Sequence, residues 1–350
     1  MDLPNLITNL MAGVTFVASQ MGRLFFTLGS HFSFSSLGAA LVIATAFYAA
    51  KRIRRGRKLN ARVLYRALFP RRIVTSPSNN ADIGYLFFNV LVFGVVFGWA
   101  ILSYEAVTNG IIAALVRLFG EPAPSMLPPW ASNAAVTVLL FLAYELGYWF
   151  NHWLSHRVPL LWEFHKVHHS AEVLTPLTNF RVHPIYAWVF ANILALATAT
   201  ANGFGNYAFG NTAHQYAISD TNLILVVFIH AYVHLQHSHI WISFTGLMGR
   251  MFVSPAHHQI HHSTNPAHFN RNFGSCLAVW DWIFGTLYVP DRKREKLTFG
   301  VEPDQYPAHT VTGELVAPFL RAGAIVAAKL PWRRTLPAIT VRDGKSSTAA

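Results

Sequence analysis

The strongest constraint on this chain is a series of apolar runs long enough to cross a lipid bilayer, with almost no charge inside them. A span needs about 20 mostly apolar residues. Runs of that kind occupy residues 34–50, 83–104, 131–150, 186–203 and 222–234. Of the 350 residues, 53% are hydrophobic and 12% are charged, whereas a soluble domain carries about 25% charge. The expected fold class is therefore all-α: an integral membrane helical bundle of about four to five transmembrane helices with a cytoplasmic histidine-rich cap. Residues 4–29 are also apolar, but Gln20 and Arg23 interrupt them, and they read as an interfacial or re-entrant helix.

The net charge of +12 does not indicate nucleic acid, because ten of the 27 Lys and Arg residues lie between Lys51 and Arg72, just after the first run. That placement is a positive-inside signal and suits contact with anionic lipid. With that segment on the cytoplasmic side, the later runs alternate so that residues 152–169, 230–239 and 257–262 all emerge on that same side. Three regions follow: residues 1–80, a membrane helix and basic segment; residues 81–310, a membrane catalytic domain; and residues 311–350, a surface helix with a disordered tail. The single cysteine, Cys276, leaves neither a disulfide framework nor a thiolate metal site.

Where the runs end, histidine begins. Thirteen of the 18 histidines fall into three groups: His152, His156, His165, His168 and His169; His230, His234, His237 and His239; and His257, His258, His261 and His262. Imidazole is the commonest metal ligand among side chains, and two histidines three or four residues apart share one face of a helix. The candidate metal ligands are His152, His156, His165, His168, His169, His234, His237, His258, His261 and His262. His237 is the preferred ligand of the middle group and His234 the next. His257 points about 100° away from His258 on a helix and reads as a supporting residue. His183, Glu145 and Asp281 are further candidates for support, the carboxylates by accepting the second N–H of a ligating ring. The competing reading of His183 is a capping residue, and that of the two carboxylates is an ordinary structural hydrogen bond.

One metal ion takes about four to six ligands, so eight or more imidazoles suit two ions. Ligand type alone leaves iron, zinc, copper and nickel open. Two irons beside an apolar cavity suit oxygen chemistry on a lipid chain, since an unactivated C–H bond needs an oxidant that no side chain supplies.

The segment Asn151-His152…His156 followed by Trp162-Glu163-Phe164-His165-Lys166-Val167-His168-His169-Ser170 resembles the fatty acid hydroxylase and sterol desaturase superfamily. So does Ser254-Pro255-Ala256-His257-His258-Gln259-Ile260-His261-His262-Ser263 with Asn272-Phe273-Gly274 and Trp280-Asp281-Trp282-Ile283-Phe284-Gly285-Thr286. The resemblance runs from about residue 135 to 290. It implies a membrane enzyme with two Fe ions that uses O2 and an external electron donor to hydroxylate, desaturate or cleave a lipid. The implied membrane is the bacterial inner membrane, or the endoplasmic reticulum in a eukaryote. No haem-binding HPGG segment is visible, so the expected partners are the lipid, the membrane and a separate ferredoxin or cytochrome-type reductant, with no nucleic acid. This chain departs from the family pattern at Trp153, where Arg often follows the first histidine, and at Tyr186, where many members carry Glu. The alternatives are a membrane zinc hydrolase acting on lipids, with three ligands and a metal-bound water, and a non-enzymatic haem- or metal-binding membrane protein.

Overall fold

The structure, a computed structural model, describes residues 3–93, 101–210, 213–301 and 309–329. The chain is helical almost throughout. Helices α1 (Leu3–Phe26) and α2 (Phe34–Ile53) are followed by the short α3 (Ala61–Leu68) and α4 (Arg71–Val74), and then by α5 (Pro77–Phe88), which continues as a π-helical turn over Asn89–Phe93. Next come α6 (Tyr104–Phe119), α7 (Pro129–Arg157), α8 (Pro159–His169) and α9 (Pro184–Ala208). Helix α10 (Leu223–Phe228) passes through a second π-helical turn (Ile229–Val233) into the short α11 (His234–Gln236). The remaining helices are α12 (Gly246–Met251), α13 (Pro255–His261), α14 (Val279–Ile283) and α15 (Val311–Lys329).

Among the described residues, four helices are long and apolar enough to cross a membrane: Phe34–Ile53, Pro129–Arg157, Pro184–Ala208 and Val311–Ala328. The apolar run at 222–234 does not make a fifth. It forms the shorter apolar helix Leu223–Gln236, which at about 1.5 Å per residue falls short of a hydrocarbon core of about 30 Å. A tight antiparallel hairpin pairing Ala217 with Asn222 and Ile218 with Thr221 holds its start. The run at 83–104 is helical as far as Phe93, and its continuation over residues 94–100 lies outside the described residues. The segment 312–330, expected on the bilayer surface, forms α15, which packs against α8 and meets the length and composition of a span. The tail from 333 onward lies outside the described residues.

The long helices lean on one another through small residues. Helix α9 packs along both α6 and α7. A Cβ at Gly147 would sit 3.1 Å from the Cβ of Ala197, and one at Gly203 would sit 2.6 Å from the Cβ of Ile111, so the backbones approach closely only because both positions are glycine. Prolines set the starts: Pro129, Pro159, Pro184 and Pro255 each occupy the first turn of a helix, where the missing N–H is no loss. The decisive break is at Val158. Its backbone is extended (φ −95, ψ 112), as the residue before a proline prefers, so α7 stops and α8 turns back beside it. That turn brings the end of one apolar span against an amphipathic helix rich in histidine.

A buried ion cluster ties these parts together. Arg181, fully buried, bonds Asp82 of α5 at 3.1 Å and Glu314 of α15 at 2.7 Å, and it also donates to the backbone carbonyl and hydroxyl of Ser78. Two acids and several neutral acceptors around one guanidinium satisfy a charge that would otherwise be costly to bury.

Candidate metal centre

The imidazoles arrive from four directions. Helix α7 supplies His152 and His156 from its last turns, and α8 supplies His165, His168 and His169. His237 ends the segment that follows α11. Helix α13 with its C-terminal residue supplies His258, His261 and His262, and its start is fixed by a capping box between Ser254 and His257.

Nine of these rings gather into two groups. His152, His156, His165, His169 and His261 form one; His168, His237, His258 and His262 form the other. Within each group, one nitrogen per residue lies within 4.8 Å of every other. The two HxxHH motifs are used reciprocally. In 165–169, the i, i+4 pair His165 and His169 serves the first group while His168 serves the second. In 258–262, the pair His258 and His262 serves the second group while His261 serves the first. Side chains four apart on a helix stack on one face and the residue between them is rotated aside. Each motif therefore reaches both groups.

The nitrogens converge closely. His237 Nε2 lies 3.1 Å from His168 Nε2, 3.1 Å from His262 Nε2 and 2.9 Å from His258 Nε2. His258 and His262 are 3.1 Å apart, and in the other group His165 and His169 are 3.2 Å apart. Nitrogens bound to one ion at about 2.1 Å and roughly a right angle stand about 3 Å apart, which matches this spacing.

Backbone carbonyls decide which ring atom faces inward. His152 Nδ1–H donates to Phe273 O at 2.9 Å, His168 Nδ1–H to Arg181 O at 3.3 Å, and His261 Nδ1–H to Arg271 O at 2.8 Å. A neutral imidazole has one N–H, so Nε2 of each of these rings presents a lone pair to its group. The Nε2 atoms of His152, His156 and His261 are buried with no hydrogen-bond partner. Inward-facing lone pairs repel one another unless a cation lies between them, and a protonated ring cannot supply that cation here. Burial lowers the imidazole pKa to about 3 at His168 and about 4 at His261, and drives those of His165, His169, His237, His258 and His262 well below the ordinary value. The donor set is neutral, nitrogen-only and preorganised, and it fits two transition-metal ions.

The other expected residues lie elsewhere. His234 joins neither group: its Nε2–H donates to Ser36 Oγ at 2.9 Å, because that hydroxyl already donates to Ser33 O. His230 bonds Ser35 Oγ at 3.0 Å, and His239 donates to Ala67 O at 2.7 Å. His183 caps α9, accepting from Ile185 N through Nδ1 and donating from Nε2 to Leu315 O. His257 holds Ser254 and donates to Gly249 O at 2.9 Å. Neither carboxylate accepts an imidazole N–H. Glu145 instead receives the backbone N–H groups of Cys276 and Leu277. Asp281 receives those of Phe273 and Gly274, together with Thr286 Oγ1 and Trp149 Nε1. Both acids fix the loop whose Phe273 carbonyl orients His152, so they act on the centre through backbone. Burial raises the pKa of Asp281 against the pull of its donors.

Two cavities flank the centre and share none of its histidines. One, of about 380 Å³, is lined by His152, His165, His168 and His237 with Tyr148 and Phe190. Tyr186 also lines it, its ring stacked on His165 with centroids 4.4 Å apart. The other, of about 460 Å³, is lined by His156, His169, His261 and His262 with Trp162 and Lys166. Lys166 is paired there with Glu163 at 2.7 Å. The carbonyls of Phe273, Arg181 and Arg271, which hold rings, leave no signature in side-chain identity. Tyr186 was noted only as a departure from the family pattern.

Residues 137–286 match the fatty acid hydroxylase family. The chain is 30% identical over 189 residues to human (Homo sapiens) alkylglycerol monooxygenase, an overlap covering 53% of this chain and 35% of the relative. It is 27% identical over 164 residues to an ornithine lipid hydroxylase of Rhizobium tropici, covering 47% and 44% respectively. It is also 30% identical over 189 residues to a very-long-chain aldehyde decarbonylase of Oryza sativa, covering 53% and 29%. The chain spans about a third of the length of the alkylglycerol monooxygenases it matches. No solved structure matches it significantly.

Proposed function

We propose that this chain, whose residues 137–286 match the fatty acid hydroxylase family, is a membrane-bound non-haem diiron oxygenase that hydroxylates or desaturates a lipid. The observation that carries this reading is the sorting of nine imidazoles into a group of five and a group of four, with the Nε2 lone pairs of His152, His168 and His261 turned inward by carbonyls at Nδ1. His152, His156, His165, His169 and His261 would hold one iron; His168, His237, His258 and His262 would hold the other. Bound there, the two irons would supply the activation of O2 that attack on an unactivated C–H bond requires. For hydroxylation, the lipid C–H, O2, two electrons and two protons give a C–OH and water.

The protein's own part is to position and to exclude. The cavity beside His152, His165, His168 and His237 is walled by Tyr144, Tyr148, Phe180 and Phe190, and it suits an alkyl chain. The cavity at His156, His169, His261 and His262 carries Lys166, Ser263, Thr264 and Asn270, and it suits water and the approach of a reductant. Electrons come from a separate ferredoxin or cytochrome-type donor. The basic segment 51–72 sits at the same end as the histidines, with Ala67 bonded to His239, which supports a cytoplasmic location for the centre. The membrane is the inner membrane of a bacterium or the endoplasmic reticulum of a eukaryote. A zinc hydrolase needs three ligands and leaves most of these rings unexplained, and a bis-histidine haem needs rings opposed across the bilayer rather than gathered at one end.

The test is oxygen-isotope labelling. The iron-loaded protein, supplied with membrane lipid, a reductant and ¹⁸O₂, is expected to yield lipid carrying the label, or a reductant-dependent double bond. Lipid products that form equally well without oxygen would overturn the proposal.

A further inference from the structure

We propose that Phe32 determines which alkyl chain lengths the centre accepts, by separating the cavity at the histidines from a second apolar cavity into which a longer chain extends. The inference rests on the lipid-oxidation reading and adds to it the dimension that selects among lipids.

The second cavity, of about 470 Å³, also has Phe32 in its lining but none of the nine converging histidines. Leu37, Leu41, Leu68, Ile73, Leu177 and Leu235 line it, so its surface is almost wholly apolar. Phe32 lines both cavities, and it is 5% exposed. Its ring meets Phe180 edge-on with centroids 4.7 Å apart, and His234 edge-on at 5.3 Å. Phe32 is the residue common to the linings of a cavity of about 380 Å³ at the histidines and a pocket of similar size. At about 30 Å³ for a water-sized group, each holds on the order of a dozen methylenes.

The loop that carries the ring is pinned. Ser33 Oγ caps α2 by accepting from Ser36 N, Ser35 Oγ bonds His230, and Ser36 Oγ bonds His234. His230 and His234, two of the three middle-group histidines that do not join the centre, thus fix the start of α2 directly after Phe32. An aromatic side chain on a fixed backbone has few rotamers, so it acts as a defined wall with a discrete open position. With the wall closed, a chain ends at Phe32; with it removed, the same chain runs on into an apolar pocket.

The test uses full-length protein in detergent, loaded with zinc so that nothing turns over, and radiolabelled decan-1-ol and octadecan-1-ol as probes. Partitioning of each alcohol into micelles cancels when every variant is compared with wild type. Phe32→Ala is expected to raise the octadecanol-to-decanol affinity ratio about tenfold, and Phe32→Trp to lower it. A merely structural role would weaken both alcohols together and leave the ratio unmoved. If one variant fails to fold, the other decides alone. A ratio equal to wild type in the folded variants overturns the proposal. A shifted ratio in a protein that, with iron, reductant and O2, oxidises no lipid would leave the partition standing and sink the oxygenase reading. Oxidation with an unshifted ratio does the reverse.

Discussion

Fourteen of the 18 histidines divide into two populations, and the difference between them is one of direction. Nine converge into two groups, within each of which one nitrogen per ring lies within 4.8 Å of every other. Five others drawn from the same sequence clusters or beside them, at 183, 230, 234, 239 and 257, spend their ring atoms on serines, backbone carbonyls and helix ends. His234 and His237 show the contrast most sharply. They are three residues apart and both nearly fully buried, yet His237 faces three other imidazoles while His234 faces a serine hydroxyl. The π-helical turn at Ile229–Val233 and the end of the helix at Gln236 lie on either side of this divergence, so helical spacing does not carry through to position 237. Where the second nitrogen of a buried imidazole is bonded, its partner decides which atom is left to ligate. A carbonyl at Nδ1 leaves Nε2 free to ligate, whereas a hydroxyl acceptor at Nε2 takes that atom away.

Two substitutions probe this contrast. The larger effect belongs to Asp281→Asn. The carboxylate receives four donors and holds the loop that orients His152, and an amide would turn an N–H toward one of them. Metal affinity should fall about 10- to 100-fold, as is usual when support for a ligand is lost. Stability should fall by about 2 kcal/mol from the unmade hydrogen bonds. Metal titration and denaturant melts read the two effects separately, and an unchanged affinity would detach Asp281 from the centre. The smaller effect belongs to His234→Ala. It removes one hydrogen bond to Ser36, so stability should drop by about 1 kcal/mol while metal content stays at the wild-type value. Loss of metal in that variant would erase the distinction between the two populations.

Much of this was legible in the sequence, and the gaps have physical causes. The all-α membrane class followed from apolar length and low charge. The gathering of the histidines was expected from charge placement and the alternation of five runs, but the fifth does not span, so the alternation does not by itself account for it. Within single helices the spacing rule worked: 152 with 156, 165 with 169 and 258 with 262 each share a group. Three things were hidden. The fifth apolar run is too short to span: the hairpin at 217–222 sets its start, and the helix, π turn included, stops at Gln236. The orienting acceptors are backbone carbonyls of Phe273, Arg181 and Arg271, which any residue offers, while the carboxylates at 145 and 281, expected to accept imidazole N–H groups, bond backbone amides instead. The ion cluster of Arg181 with Asp82 and Glu314 spans residues far apart in sequence, although acids isolated within apolar stretches of a chain with 15 acidic residues were a usable hint.

The most direct test of a two-ion centre is the iron content of the purified protein, measured alongside His237→Ala, whose ring touches only the four-histidine group. Two irons per wild-type chain are expected, falling toward one in the variant. One iron or none in the active wild-type protein, or an unchanged count of two after His237 is removed, would contradict it.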